Sequence, residues 1–426
     1  MTGISQAASA IQGVPPPVRP NRGQMLVYYA ACGFPISFLS MVMFLLPLRA
    51  RELGAPVELI GIIIGAGSLL GMIAAVPAGA LADRIGARQS FLLGAVLDGL
   101  AAIAFWMTDS YWMMLGIQFL RGIPHSMAWV ASQTYVAIIG GPEERAALTS
   151  RFSFATGVSG LISPILVGSV AELVGYRSAF FFLAFFCVAH VAMALLIPDV
   201  RSQRARAGGS GGSAAGYGVA LGLLRLRGPQ VAVLLTFIRL WVGTGWSSFF
   251  PIFLVERGFS PLLIGTVLSG NGLVSAVTGL GAHWLARRTT HEIGTAAALA
   301  LAALGMALSP HLAFVPVVYL PTLLLGTGSG VSMPLVLAIL GNEVPAHQRG
   351  VAMGLRTSAN QGGLMVAPVA MGFMVGGLGV PLGFLCGAIF CWAMLGLSLW
   401  MHLTARGDPG RAGAVEPSSE AGTRER

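Results

Sequence analysis

The stretch GALADRIGARQS, from Gly79 to Ser90, sets one acid and two arginines between apolar segments. On its N-terminal side, residues 59–78 carry no charge; on its C-terminal side, 91–108 carry one, Asp98. A soluble protein can place such a turn anywhere on its surface. A chain that crosses a membrane has room for it only at an aqueous end, because charge inside the hydrocarbon layer is costly.

The rest of the chain decides between these cases. Its 426 residues are 55% hydrophobic and 10% charged, whereas a soluble domain carries about 25% charged residues. So few charges cannot cover a soluble surface. The hydrocarbon core takes about 20 apolar residues per helix. Twelve segments of that size are predicted, at 25–47, 58–81, 90–108, 111–139, 147–172, 178–198, 231–254, 262–286, 292–310, 313–341, 350–376 and 380–403. Their runs are long and continuous, unlike barrel strands, which alternate over about ten residues. The expected fold class is therefore an all-α integral membrane protein with twelve transmembrane helices.

A net charge of +9 raises the question of nucleic acid. The chain has no lysine, and its arginines are distributed by side. With both termini in the cytoplasm, the external loops hold only Arg49, Arg51, Arg177 and Arg257. Arg121 and Arg239 fall inside spans, and the remaining arginines lie in cytoplasmic loops, tails or helix ends. This positive-inside pattern accounts for the charge without nucleic acid as a partner. The first 24 residues are polar and proline-rich, without the apolar core of a signal peptide. The absence of lysine points to a GC-rich bacterial genome, and so to the bacterial inner membrane. Cys32, Cys187, Cys386 and Cys391 lie in apolar spans without metal-ligand spacing. No Ser/His/Asp set, metal cluster or nucleotide loop stands out, so neither an enzyme, a metal nor a cofactor is expected.

Compared with itself at an offset of 204 positions, the chain repeats. Pro47, Glu52, Gly54 and Gly61 fall on Pro251, Glu256, Gly258 and Gly265. Pro164, Gly168, Gly175 and Phe180 fall on Pro368, Gly372, Gly379 and Phe384. Each repeat holds six spans, and an even number returns the chain to its starting side, so the two halves run parallel. The expected organisation is a cytoplasmic tail at 1–24, a six-helix half at 25–198, a Gly/Ser/Arg linker at 199–229, a second half at 230–404 and a tail at 405–426.

Two parallel sets of six spans with a charged turn between spans 2 and 3 resemble the major facilitator superfamily. Gly79, Leu81, Asp83, Arg84, Gly86 and Arg88 match its signature in that loop, and the resemblance covers about 24–404. It implies that Gly79 lets span 2 approach a neighbour and that Gly86 permits a tight turn. It also implies that Asp83 sits by the start of span 11, where the helix dipole favours a carboxylate by about 0.3–1 kcal/mol. Asp83, Arg84 and Arg88 would then form a cytoplasmic gate. In the second half Arg287 stands where the acid would be. In span 5, Gly157, Gly160, Pro164 and Gly168 resemble the glycine-proline pattern of the superfamily's antiporters, with Ser163 in place of one glycine. The implied function is secondary active transport of a small organic compound by alternating access, as proton-coupled efflux. The alternative is uptake of an organic anion or metabolite by proton symport.

Ionisable residues inside spans are functional candidates. Asp98 sits in span 3, Arg121 and His125 in span 4, and Arg239 in span 7. At the repeat offset they meet Ala302, Leu325, Ser329 and Pro35, so these charges break a symmetry that the glycines and prolines keep. Where the superfamily has an arginine four residues before Gly122, this chain has Gln118. The resemblance implies a central cavity lined by spans 1, 4, 7 and 10. Arg121, Arg239, Trp241, Trp246, Tyr28 and Phe34 are candidates for it, the two arginines favouring anionic groups. His125, the natural titrating group at cellular pH, and Asp98 are candidates for proton coupling. Other roles stay open: Arg121 as a structural partner of Asp98, Arg239 bonding carbonyls or snorkelling to the surface, His125 as a packing or capping residue, and the aromatic residues as an interfacial belt. The expected partners are a small-molecule substrate, protons and the lipid bilayer, with the chain acting as a monomer.

Overall fold

The computed structural model describes residues 22–139, 145–197, 222, 227–343 and 349–406. Most of the expected tails and linker lies outside these, as do the side chains of 22, 76, 83, 136–139, 145–147, 341–343, 349–354, 402 and 405–406.

The described chain is helical almost throughout. Span 1 is Arg22–Glu52, span 2 Val57–Ile85, span 3 Ala87–Met107 and span 4 Tyr111–Ile139. Spans 5 and 6 form one helical run, Arg145–Leu195, interrupted only at Gly175. Span 7 is Arg227–Glu256, span 8 Pro261–Leu280 with a short continuation Ala282–Ala286, span 9 His291–Leu308 and span 10 Tyr319–Glu343. Spans 11 and 12 form the second long run, Arg349–Arg406, interrupted at Gly379.

Nine helices among the described residues are long and apolar enough to cross a membrane. Two of them, Leu148–Leu195 and Leu355–Met401, have 48 and 47 residues. At 1.5 Å per residue each is about 70 Å long, enough for two passes through a core about 30 Å thick. Span 4 is absent from the nine. Its 29 residues suffice in length, but Gln118, Arg121, His125 and Gln133 dilute its apolar character, so it depends on its neighbours for shielding.

Several turns are shorter than the sequence expectation, and the connection between spans 9 and 10 is longer. Gaps expected at 173–177 and 377–379 reduce to single glycines, Gly175 (φ 79°, ψ 164°) and Gly379 (φ 78°, ψ 165°). That backbone region is open essentially to glycine alone, so one residue reverses the chain. The charged turn that opens the sequence argument is likewise mostly helix. Residues 79–85 belong to span 2, and Gly86 (φ 99°) alone separates it from span 3, with its N–H bonded to the Ala82 carbonyl at 3.1 Å. Span 10 begins at Tyr319 rather than 313.

The repeat is therefore geometric as well as sequential. Gly54 and Gly258 share φ values of 81° and 82°, as Gly175 and Gly379 share theirs. The helix pairs that join the halves follow the same relation. Span 2 meets span 11 where Gly61 lies against Pro368 and Gly372; span 8 meets span 5 where Gly265 lies against Pro164 and Ile165. A methyl group on Gly61 or Gly265 would overlap the proline carbonyl opposite. Small residues thus allow backbone-to-backbone packing, which holds helices together where the surrounding lipid is as apolar as the side chains.

The contacts between halves gather toward the face carrying the Gly54 and Gly258 turns. There Arg51 pairs with Glu256 at 2.9 Å, and Glu172 accepts a hydrogen bond from the Leu262 N–H at 2.9 Å. Glu58 lies against Gly376, the repeat position of Glu172. Toward the membrane middle, Gly65 meets Met365 and Gly272 meets Leu161. One apolar core, including Phe38, Phe44, Trp246 and Phe250, draws residues from both halves. A second core, including Tyr28, Phe91, Tyr135 and Phe152, is built from the first half alone and lies toward the Gly86 face.

Candidate functional site

Span 4 reaches its polar environment through glycine. A methyl on Gly122 would overlap the backbone of Gly67 and Gly71 on span 2, and Ser126 Oγ donates to the Gly71 carbonyl at 2.8 Å. This approach carries Gln118 and Arg121 inside. Arg121 is 3% exposed and Asp98 2%. Arg121 Nε donates to Gln118 Oε1 at 2.9 Å, and its Nη1 lies 3.8 Å from Asp98 Oδ1. The guanidinium also sits 5.8 Å from the Phe38 ring centroid. Spans 1, 3 and 4 of one half thus enclose Arg121.

The Asp98–Arg121 contact is an ion pair but too long for a hydrogen bond. Asp98 Oδ1, Arg121 Nη1, Gln118 Nε2 and His125 Nδ1 are all buried without a hydrogen-bond partner among the described residues. A buried polar group normally has one. A slack acid–base pair enclosed by helices has the chemistry to exchange a proton, because protonating the acid releases the arginine.

The second half carries a different cluster. Arg239 Nη2 on span 7 donates to Asn360 Oδ1 on span 11 at 3.3 Å. One turn earlier on span 11, Arg356 Nη1 lies 3.8 Å from Met333 Sδ on span 10, and its Nε is buried and unbonded. The two guanidiniums interact electrostatically. Among the described residues, neither forms an ion pair with an acid. The sequence reading missed Arg356, which it counted with the cytoplasmic helix ends, and it missed Asn360. The i, i+4 spacing of the two residues was the available signal.

The other candidates fall in helix packing. Tyr28 is 2% exposed, donates to the Ser132 carbonyl at 2.7 Å and stacks on Tyr135 at 4.5 Å. Phe34 packs on Phe186 and His190 of span 6, at 4.6 and 5.1 Å. Trp241 donates to the Gly387 carbonyl on span 12 at 3.2 Å, and Trp246 to Ser309 Oγ after span 9 at 2.9 Å. In span 5, Pro164 and Gly168 face span 8, Gly160 faces Ile36 of span 1, and Gly157 has open space around it. Ser163 Oγ donates to the Ser159 carbonyl.

In the turn after span 2, a methyl on Gly79 would meet only Val130, at an ordinary 3.8 Å. The close approach of spans 2 and 4 is made at Gly67 and Gly71 instead. Arg84 is exposed. Arg88 donates to the Leu195 carbonyl at 2.6 Å and so ties span 3 to the end of span 6. The Asp83 side chain lies outside the described residues, and the expected gate contact with it.

Residues 30–368 match the model of the Major Facilitator Superfamily, and the chain belongs to that family. It is 20% identical over 357 residues to an uncharacterized transporter of this type from Methanocaldococcus jannaschii, covering 83% of this chain and 91% of that protein. It is 29% identical over 171 residues to the multidrug resistance protein MdtG of Yersinia enterocolitica, covering 38% of this chain and 40% of that one. The crystal structure of the nucleoside transporter NupG superposes with a TM-score of 0.75 at 11% identity, covering 89% of this chain and 99% of that one. The protein is thus a multi-pass membrane transporter that binds a small-molecule substrate within the membrane, and its family is one of carriers, not enzymes.

Proposed function

We propose that this transporter exports a small organic compound in exchange for protons, and that Asp98 carries the proton. The observation behind this reading is the Asp98–Arg121 pair: buried, 3.8 Å apart, and with an unbonded polar atom on each side. In the paired state both residues are charged and the site is neutral. A proton on Asp98 leaves Arg121 as an uncompensated buried cation, which is costly and favours a different helix arrangement. Proton binding is thereby coupled to conformation. His125, one turn along span 4, is the second group able to respond.

Alternating access would come from rocking the halves about the span 2–span 11 and span 5–span 8 crossings. With both termini in the cytoplasm of a bacterial cell, the Gly54 face is external, and the conformation described is sealed on the outside. The partial similarity to a multidrug resistance protein supports the outward direction. Uptake of an organic anion by symport is the second reading; Arg239 and Arg356, which have no acid partner among the described residues, favour it.

The test is proton release from the purified protein in weakly buffered detergent solution, on adding a panel of organic cations, neutral drugs and anions. Release with a bound ligand in the wild type, and none with Asp98→Asn despite retained binding, is the expected result. Undiminished release from Asp98→Asn would remove Asp98 from the mechanism.

A further inference from the structure

The cation cluster of the second half has repeat mates in the first. At the offset of 204, Arg239 corresponds to Pro35, Met333 to Trp129, Arg356 to Phe152 and Asn360 to Thr156. The correspondence extends to contacts. Arg356 touches Met333, and Phe152 packs on Trp129 with ring centroids 5.7 Å apart. One interhelix contact of the frame is thus aromatic in one half and cationic in the other. Residues related by a two-fold axis lie on opposite sides of it, so the aromatic pair and the cationic pair flank the axis at the same depth.

Arg239 follows Arg227, the start of its helix, by twelve residues, or about 18 Å. That distance exceeds the reach of an arginine side chain to the membrane surface. Among the described residues its hydrogen-bond partner is an amide oxygen, and a second guanidinium acts on it nearby. Two like charges at this depth are costly without a counter-charge. Among the described residues no acid supplies one. An arginine fork is suited to a carboxylate or phosphate, which it holds through two parallel hydrogen bonds. Asn360 accepts from Arg239 through Oδ1 and keeps its amide N–H groups to donate to the same anion.

We propose that Arg239, Arg356 and Asn360 form an anion-binding subsite, and that the transported compound is an aromatic carboxylate or phosphate whose ring lies toward Trp129 and Phe152. The proposal rests on the transporter reading above, but on neither its direction nor its proton coupling.

Binding is measured by calorimetry on the purified full-length protein at fixed pH, without a gradient. The probes are 2-naphthoate, 2-naphthyl phosphate, neutral 2-naphthalenemethanol and cationic 2-naphthylmethylamine. An acid should bind about tenfold or more tighter than the alcohol, since hydrogen bonds between charged groups account for that much. Arg239→Gln and Arg356→Gln should each remove that advantage, bringing the affinity for the acids down toward that for the alcohol. Arg356→Lys keeps the charge, loses the fork and should give a partial loss, which serves if a glutamine variant fails to fold. Equal affinity for acid and alcohol, preference for the amine, no binding of either acid, or full acid affinity in Arg356→Gln would each overturn the proposal. Asp98→Asn separates the two readings: loss of proton release with acid binding retained bears on coupling alone.

Discussion

Arg121 stands between two partners of unequal quality: it donates to Gln118 Oε1 at 2.9 Å and stops 3.8 Å short of Asp98 Oδ1. Gln118 holds one edge of the guanidinium, and the other edge faces the acid without reaching it. Asp98→Ala should strip the pair of its negative member. Removing one partner of a buried pair costs about 3–5 kcal/mol, so a marked fall in melting temperature is expected. Exchanging both residues together, as Asp98→Leu with Arg121→Met, should recover most of the stability. Thermal unfolding of the three proteins in one detergent checks the order.

Gly61→Ala and Gly265→Ala place a methyl against the Pro368 and Pro164 carbonyls. Each should force its helix pair apart at the Gly54 face and favour the conformation open there. Overpacking of this kind costs about 1–3 kcal/mol. Spin labels across the Arg51–Glu256 face should report a longer distance in both variants than in the wild type. An unchanged distance would mean that the crossings do not govern closure.

Arg51 and Glu256 are close to half exposed, at 46% and 47%, so their pair contributes only about 0.2–1 kcal/mol. Glu256→Arg should loosen the closed face slightly, and Arg51→Glu combined with Glu256→Arg should restore it. The effect should shrink as salt is raised. The same spin-label distance, read at low and high salt, measures it.

Trp246→Phe removes an indole N–H from Ser309 Oγ. That hydroxyl keeps its own donation to the Gly305 carbonyl at 2.8 Å. The cost should stay near 0.5–1.5 kcal/mol, with the ligand profile unaltered. A changed profile at equal stability would return Trp246 to the substrate cavity, where the sequence argument puts it.

Gly175→Ala and Gly379→Ala should each destabilise by about 1–3 kcal/mol, because φ near +79° with ψ near 164° is a strained backbone state for any residue with a side chain. Equal losses at the two positions would express the repeat in energies; thermal unfolding of both variants tests this.

Much of this architecture is legible in the sequence, for a physical reason. Long apolar runs and a constant offset are properties of the whole chain, and Gly54, Gly175, Gly258 and Gly379 mark turns that need glycine's backbone freedom. Span lengths at the turns are less legible, because one glycine suffices where several residues were allotted. The candidate site is harder still. Arg121 and Arg239 look alike in sequence, both being lone arginines in spans. What separates them is which face of the helix the neighbours cover. Gln118 and Phe38 close over Arg121, while Arg239 meets Asn360 and Arg356. Trp241 and Trp246 show the same limit: periodicity places them on a helix, and only the partner carbonyl or hydroxyl shows which neighbour they serve.

The unequal cores have a consequence for local unfolding. The larger core is common to both halves, while the core around Tyr28, Tyr135 and Phe152 belongs to the first half. Cooperative opening follows such units. Amide hydrogens of the helix segments in the shared core should exchange with solvent only when the whole molecule opens. Those around Tyr28 and Tyr135 should exchange through a separate, smaller opening event of the first half. A carrier built this way keeps its firmest structure where its halves meet and its most independent structure where they part.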